Sequence, residues 1–179
     1  RTEDNLNKRF YICTRITQII KEKLLPEEIK SFVEQAKSVF EVNPSNAENK
    51  IIYTESLLRA GNLALKQGEY DAARLHFNNT LAVTNNNIEA RCGLFLTDVH
   101  DNKPLPELMA TAALLDQQLL SFLNGRSIDA LSTAELQVHS YSYENIKQAK
   151  LHLNNHTVSQ YQILLNSNQL TAAENLLLQ

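Results

Sequence analysis

Glycine and proline are scarce in this chain, four of each in 179 residues. Nowhere do β-branched residues alternate with polar ones as a half-buried strand requires, so the chain reads as helical throughout. Cysteine is scarcer still. Cys13 and Cys92 lie far apart, without a CxxC neighbour, inside apolar helical patterns. Such cysteines act as small buried hydrophobes, and they set the expectation of a reducing, cytoplasmic compartment. Long apolar runs are also missing: the stretch from Met109 to Leu115 falls far short of the ~20 residues a membrane-crossing helix needs. Nor is there an excess of one charge. With 17 basic and 20 acidic residues the net charge is -3, which exerts no general pull on nucleic acid or on an anionic membrane. Arg1 in place of an initiator methionine is expected of a processed chain or of a piece of a longer protein.

What is present is core material. Hydrophobic residues make up 43% and charged ones 21%, enough for a single all-helical domain or a run of stacked units. Leu6, Phe10, Cys13, Ile16, Ile20 and Leu24 recur at helical spacing and give a first amphipathic helix. Pro26 opens a second, with Glu27 and Glu28 at the positive end of its dipole and Ile29, Phe32, Val33, Ala36, Val39 and Phe40 on one face, stopping at "EVNP" (41 to 44). S/T-x-x-E pairs at Ser45/Glu48, Ser132/Glu135 and Thr171/Glu174 read as capping boxes. The third helix is expected over 46–67, the fourth over 71–84, and a fifth follows "TNNN" (84 to 87). "HDNKPLP" (100 to 106) reads as a loop, and Leu108, Met109, Ala112, Leu115, Leu119, Phe122 and Leu123 form an apolar sixth helix ended by Gly125. A seventh over 133–152 and two short helices near 157–166 and 171–178 bring the total to about nine, joined by short loops. Antiparallel helical hairpins in a stack are the economical architecture.

"AGNLALKQGEYDAARLHF" (60 to 77) tests this reading, because it holds two of the four glycines. A phosphate-binding loop needs clustered glycines followed by Lys-Ser/Thr after a strand, and Gly61 and Gly68 have neither. A glycine inside a helix costs about 1 kcal/mol against alanine, so Gly61 implies a neighbouring helix in close approach. Gly68 falls where a helix must end, and Tyr70, Ala73 and Phe77 then share one side of the next.

In order and spacing, Gly61, Gly68, Tyr70, Ala73, Phe77, Leu81 and the break at Asn85 resemble the tetratricopeptide repeat, a two-helix unit of about 34 residues. Residues 54 to 87 would form one unit, departing from the pattern at Leu57, Ala64, Thr80 and Asn85. Degenerate flanking copies are seen at 34 to 48, 87 to 96 and 160 to 178. The resemblance implies a right-handed superhelix, a non-catalytic role as scaffold or adaptor, and a protein or peptide partner held along the first helices of successive units. By position, that groove would present Glu55, Leu58, Arg59, Asn62, Leu65 and Lys66, then Glu89, Cys92, Leu96 and His100. Arg59, Asn62 and Lys66 share one side and could grip a carboxylate or a peptide backbone. Leu58, Leu65 and Leu96 would be the apolar contacts.

Other chemistries find less in the sequence. His152 and His156 lack the glutamate of a zinc helix, "HD" at 100 and 101 stands beside no nucleophile motif, and no triad assembles, so neither enzyme, metal nor cofactor is expected. Tyr141 and Tyr143 point to different sides of their helix, and the sequons at Asn78 and Asn155 carry no weight in so asparagine-rich a chain. The basic residues Arg1, Lys8, Arg9, Arg15, Lys21 and Lys23 of the first helix raise one alternative, a DNA-binding regulator with a peptide-sensing repeat domain. The last helix, "AENLLLQ", carries only Glu174 as a charge, which points to a homodimer through the C-terminal helices or to further repeats.

Overall fold

Each helix begins and ends at a residue suited to the task. In a computed structural model the described residues are 2–123, 147, 150, 151, 153–155 and 157–177, and no strand occurs among them. Their helices are α1 (Thr2–Glu22), α2 (Pro26–Val42), α3 (Ala47–Gln67), α4 (Tyr70–Val83), α5 (Ile88–His100), α6 (Leu105–Leu123), α7, whose described residues include 153–155 and 157–166, and α8 (Leu170–Leu177). Pro26 occupies the first turn of α2, and the Glu28 carboxylate accepts from the Leu25 N–H at 2.9 Å. This returns one of the four N–H groups a helix start leaves unpaired. At the other end of α3, Gly68 adopts φ 75°, and the N–H groups of Gly68 and Glu69 reach back to Leu65 and Ala64. Left-handed backbone of this kind strains any residue with a Cβ, which is why glycine stands there.

Two of the three expected capping boxes are displaced. Helix α3 starts one residue later than the Ser45 box requires: Asn46 is the cap, its side-chain oxygen accepting from the Asn49 N–H at 2.9 Å. Glu48 instead meets Arg9 of α1 at 3.3 Å. Thr171 lies inside α8, where its own N–H is already beyond the cap position. Ser132 and Glu135 fall outside the described residues, as do Gly125, the helix expected over 133–152 except for its scattered described positions, and the side chains of Leu119 and Leu123. The expected loop over 100–106 is shorter, because α6 already includes Leu105 and Pro106. A proline in the first turn loses no hydrogen bond.

The chain divides into two compact units, 1–90 and 91–179. In the first, α3 packs against α1, α2 and α4. Its seam with α4 is tight at Gly61, where a Cβ would lie 2.7 Å from Phe77 Cε1. Phe77 and Ala73 are fully buried there. On the α2 side Ala36, Tyr53 and Leu57 form a buried cluster with Phe32, Val33, Phe40, Ile52 and Val83 around it. The Phe40 and Tyr53 rings stack with centroids 5.2 Å apart. Val39, expected on this face, is exposed.

In the second unit, Phe95 and Val99 of α5 and Leu108, Ala112 and Leu115 of α6 are buried at helical spacing, whereas Met109 is exposed. Asp116 of α6 pairs with Lys150. The chain leaves α5 and α7 through Asn102 and Asn168, both in left-handed backbone (φ 54° and 58°). Asparagine is the side chain that best tolerates this region after glycine.

Candidate functional site

The residues assigned by position to the groove separate into three groups. Leu58 and Cys92 are buried, at 2% and 1% exposure, and so belong to the interior rather than to a binding face. For Leu58 the cause is local: α3 is covered by three neighbouring helices, and little of its circumference is left over. Glu55, Arg59, Asn62 and Leu65 are half-buried, and Lys66 is exposed. On α5, Glu89 and Leu96 are half-buried and His100 is exposed.

Asn62 and Glu89 are already engaged with each other. The Asn62 amide donates to Glu89 Oε1 at 2.9 Å, tying the second half of α3 to the first turn of α5. Their separation of 27 residues hides this pairing from any local reading of the sequence. Arg59 differs: its Nε is buried with no hydrogen-bond partner. A buried donor without an acceptor costs about 1–3 kcal/mol, so Arg59 is the residue of this face with most to gain from an incoming oxygen.

The charges that act on Cys13 of α1 are acidic. Burial pushes the Cys13 thiol above its ordinary value, and Glu48 and Glu55 push it further. A thiol held protonated in this way is a poor nucleophile. Of the basic residues of α1, Arg9 is paired with Glu48, and Arg15 donates to Gln18 Oε1 at 2.8 Å.

No motif in the sequence marks out His76. It lies on α4 with Nδ1 buried and without a hydrogen-bond partner, and burial lowers its pKa below the usual imidazole value. Only its place on α4, one residue before the buried Phe77, gives a signal. His152, His156, Tyr141 and Tyr143 lie outside the described residues. Among the described residues no three His, Cys, Asp or Glu side chains cluster as metal ligands, and no helix is long and apolar enough to cross a membrane. No family model, no curated protein and no solved structure matches the chain.

Proposed function

We propose that the chain is a non-catalytic interaction module of tetratricopeptide-like build, holding a peptide or protein partner against the α3 face that carries Glu55, Arg59, Asn62, Leu65 and Lys66. The observation that carries this reading is the Arg59 guanidinium, whose Nε is buried without an acceptor on a helix held by three others. A partner carboxylate or backbone carbonyl supplies what Arg59 lacks once the long side chain turns outward, and Lys66 adds a second charge further along the same helix. Because Asn62 is steadied by Glu89, the face between them is preorganised, which spares a partner part of the cost of ordering it. The packing order supports the reading too: α3 touches the helix before it, the helix after it and α1, as alternating first and second helices of stacked hairpins do.

Partner capture from native extract by the chain and by a R59E/K66E variant tests the assignment. The variant is expected to lose the partner, and equal recovery would remove the α3 face from consideration.

A second reading concerns the C-terminal helices. Val158, Ile163, Leu165 and Leu170 are exposed apolar side chains within 13 residues of chain that carry no charge. We infer that exposed apolar side chains of this segment meet a second copy, which brings no like charge of its own to oppose the contact. Sedimentation at tens of micromolar should show a dimer that Ile163→Glu with Leu165→Glu dissociates; a monomer at that concentration would remove this reading.

A further inference from the structure

Away from the Arg59 face, the first unit has an open depression of about 510 Å³ lined by α2, α3 and α4. Ligand clefts commonly have about 300–1,000 Å³. Its apolar lining includes Phe40 and Tyr53, the stacked pair of the α2–α3 cluster, and Val83. An aromatic side chain entering it finds a wall of rings and aliphatic carbon already fixed by core packing.

The rim decides the charge of the occupant. Lys37 and Lys50 line it together with a single carboxylate, Glu41. Lys37 reaches Glu41 at 3.6 Å, but both side chains are more than half exposed, and the lysine precedes the glutamate on α2. Such a pair contributes about 0.3–0.5 kcal/mol at most, and this order of the charges is the weaker one. Lys37 is therefore readily traded to a better acceptor. Lys50 has no ion pair among the described residues. A cationic occupant would face two ammonium groups and one carboxylate; an anionic one gains the excess. Asn79, also at the rim, can donate to and accept from a peptide bond. Burial raises the Tyr53 pKa while Lys37 lowers it and Glu41 raises it, which places both charges close to the phenol.

We propose that this depression is a second binding site, independent of the α3 face, and that it takes an acidic peptide segment anchored by one aromatic side chain. The aromatic ring stands on Phe40 and Tyr53, flanking carboxylates meet Lys37 and Lys50, and the peptide backbone meets Asn79. The open mouth favours a segment passing over the surface above an enclosed small molecule.

The chain has no tryptophan, so the indole of an added peptide reports its own surroundings. Acetyl-Glu-Trp-Glu-amide is expected to show a saturable blue shift on titration with the protein, and acetyl-Lys-Trp-Lys-amide none. K37E/K50E should weaken the acidic peptide about tenfold. Ala82→Phe, which fills the depression from an exposed position on its lining without adding an indole, should abolish binding, and R59E/K66E should leave it unchanged. Equal binding of the lysine peptide, or indifference to both depression variants, would overturn the proposal. Loss in R59E/K66E alone would return the peptide to the α3 face, and indole-3-acetate binding as tightly as the peptide would replace the peptide with a small carboxylate.

Discussion

The turn between α3 and α4 and the turn between α7 and α8 have the same build. In the first, Gly68 donates to Leu65 at 3.1 Å, Glu69 to Ala64 at 2.9 Å, and Ala73 to Glu69 at 2.9 Å. In the second, Asn168 donates to Leu165 at 3.0 Å, Gln169 to Leu164 at 2.9 Å, and Ala173 to Gln169 at 3.0 Å. Both central residues are left-handed, and both alanines are buried. The surroundings of the two turns differ. Around α3 the apolar residues Tyr53, Leu57, Leu58 and Phe77 are buried, whereas Val158, Ile163, Leu165 and Leu170 are exposed. Turn geometry is thus set by local chemistry at each place, and burial is set by what the neighbouring helices cover. One turn closes a finished seam, and the other adjoins apolar side chains that stay exposed.

The largest effect expected from this contrast is at Phe77. Removing its fully buried ring with Phe77→Ala should cost about 3–5 kcal/mol. Leu170→Ala, at a side chain more than half exposed, should change stability by no more than about 0.5 kcal/mol. Hydrogen exchange resolved to α3–α4 and to α7–α8 measures each without assuming that the two units unfold together. Comparable losses at both positions would break the comparison.

Next comes Gly61. A methyl group there meets Phe77 carbons at 2.7 and 2.9 Å, so Gly61→Ala should destabilise by about 1–3 kcal/mol. Phe77→Leu should recover part of this in a double-mutant cycle, since the clash is with the ring. Additive effects of the two changes would show that the seam opens elsewhere.

A smaller effect separates the turns themselves. Gly68 has open space around it but φ 75°, so Gly68→Ala should cost about 1–2 kcal/mol through backbone strain alone, with Gly68→Asn milder. Asn168→Gly should be stabilising by a few tenths of a kcal/mol, because the same backbone loses its Cβ. Urea midpoints of the four chains rank them; a destabilising Asn168→Gly would mean that the asparagine side chain holds that turn.

The sequence made this contrast partly visible. Gly61, Gly68, Ala73 and Phe77 announce a close seam, because a glycine inside a helix needs a near neighbour to offset its cost and a phenylalanine at helical spacing from a small residue needs a place to bury its ring. Pro26 and the break at Pro44 place α2 through the backbone restriction that proline imposes. Caps were less legible: Asn46 and Ser45 are both good N-cap residues, and the structure caps α3 with Asn46 while Glu48 meets Arg9 of α1. The binding face was the least legible part. Helical spacing puts Leu58 beside Arg59 and Asn62, but which side chains remain accessible depends on how many helices surround α3, and the Asn62–Glu89 bond joins residues too far apart for any local pattern to reveal.

The finest distinction between the two hairpins is at His76, which α8 matches with Leu176 one hundred positions on. The imidazole sits beside Phe77 with Nδ1 buried, and burial lowers its folded-state pKa. The unfolded chain, with an ordinary imidazole near 6.5, therefore binds the proton first as pH falls. Stability contributed by the neutral ring is complete above the unfolded value, and it is lost as pH drops through that value toward the lowered folded one, where the slope ends. His76→Leu removes this loss and makes α4 resemble α8. Measured as the difference in urea midpoint between the two chains from about pH 7.5 to about pH 5, the gap should shift in favour of the leucine chain on acidification, and carboxylate effects common to both cancel. A gap independent of pH would mean that His76 opens to water and protonates in place, so that its burial costs the folded chain nothing.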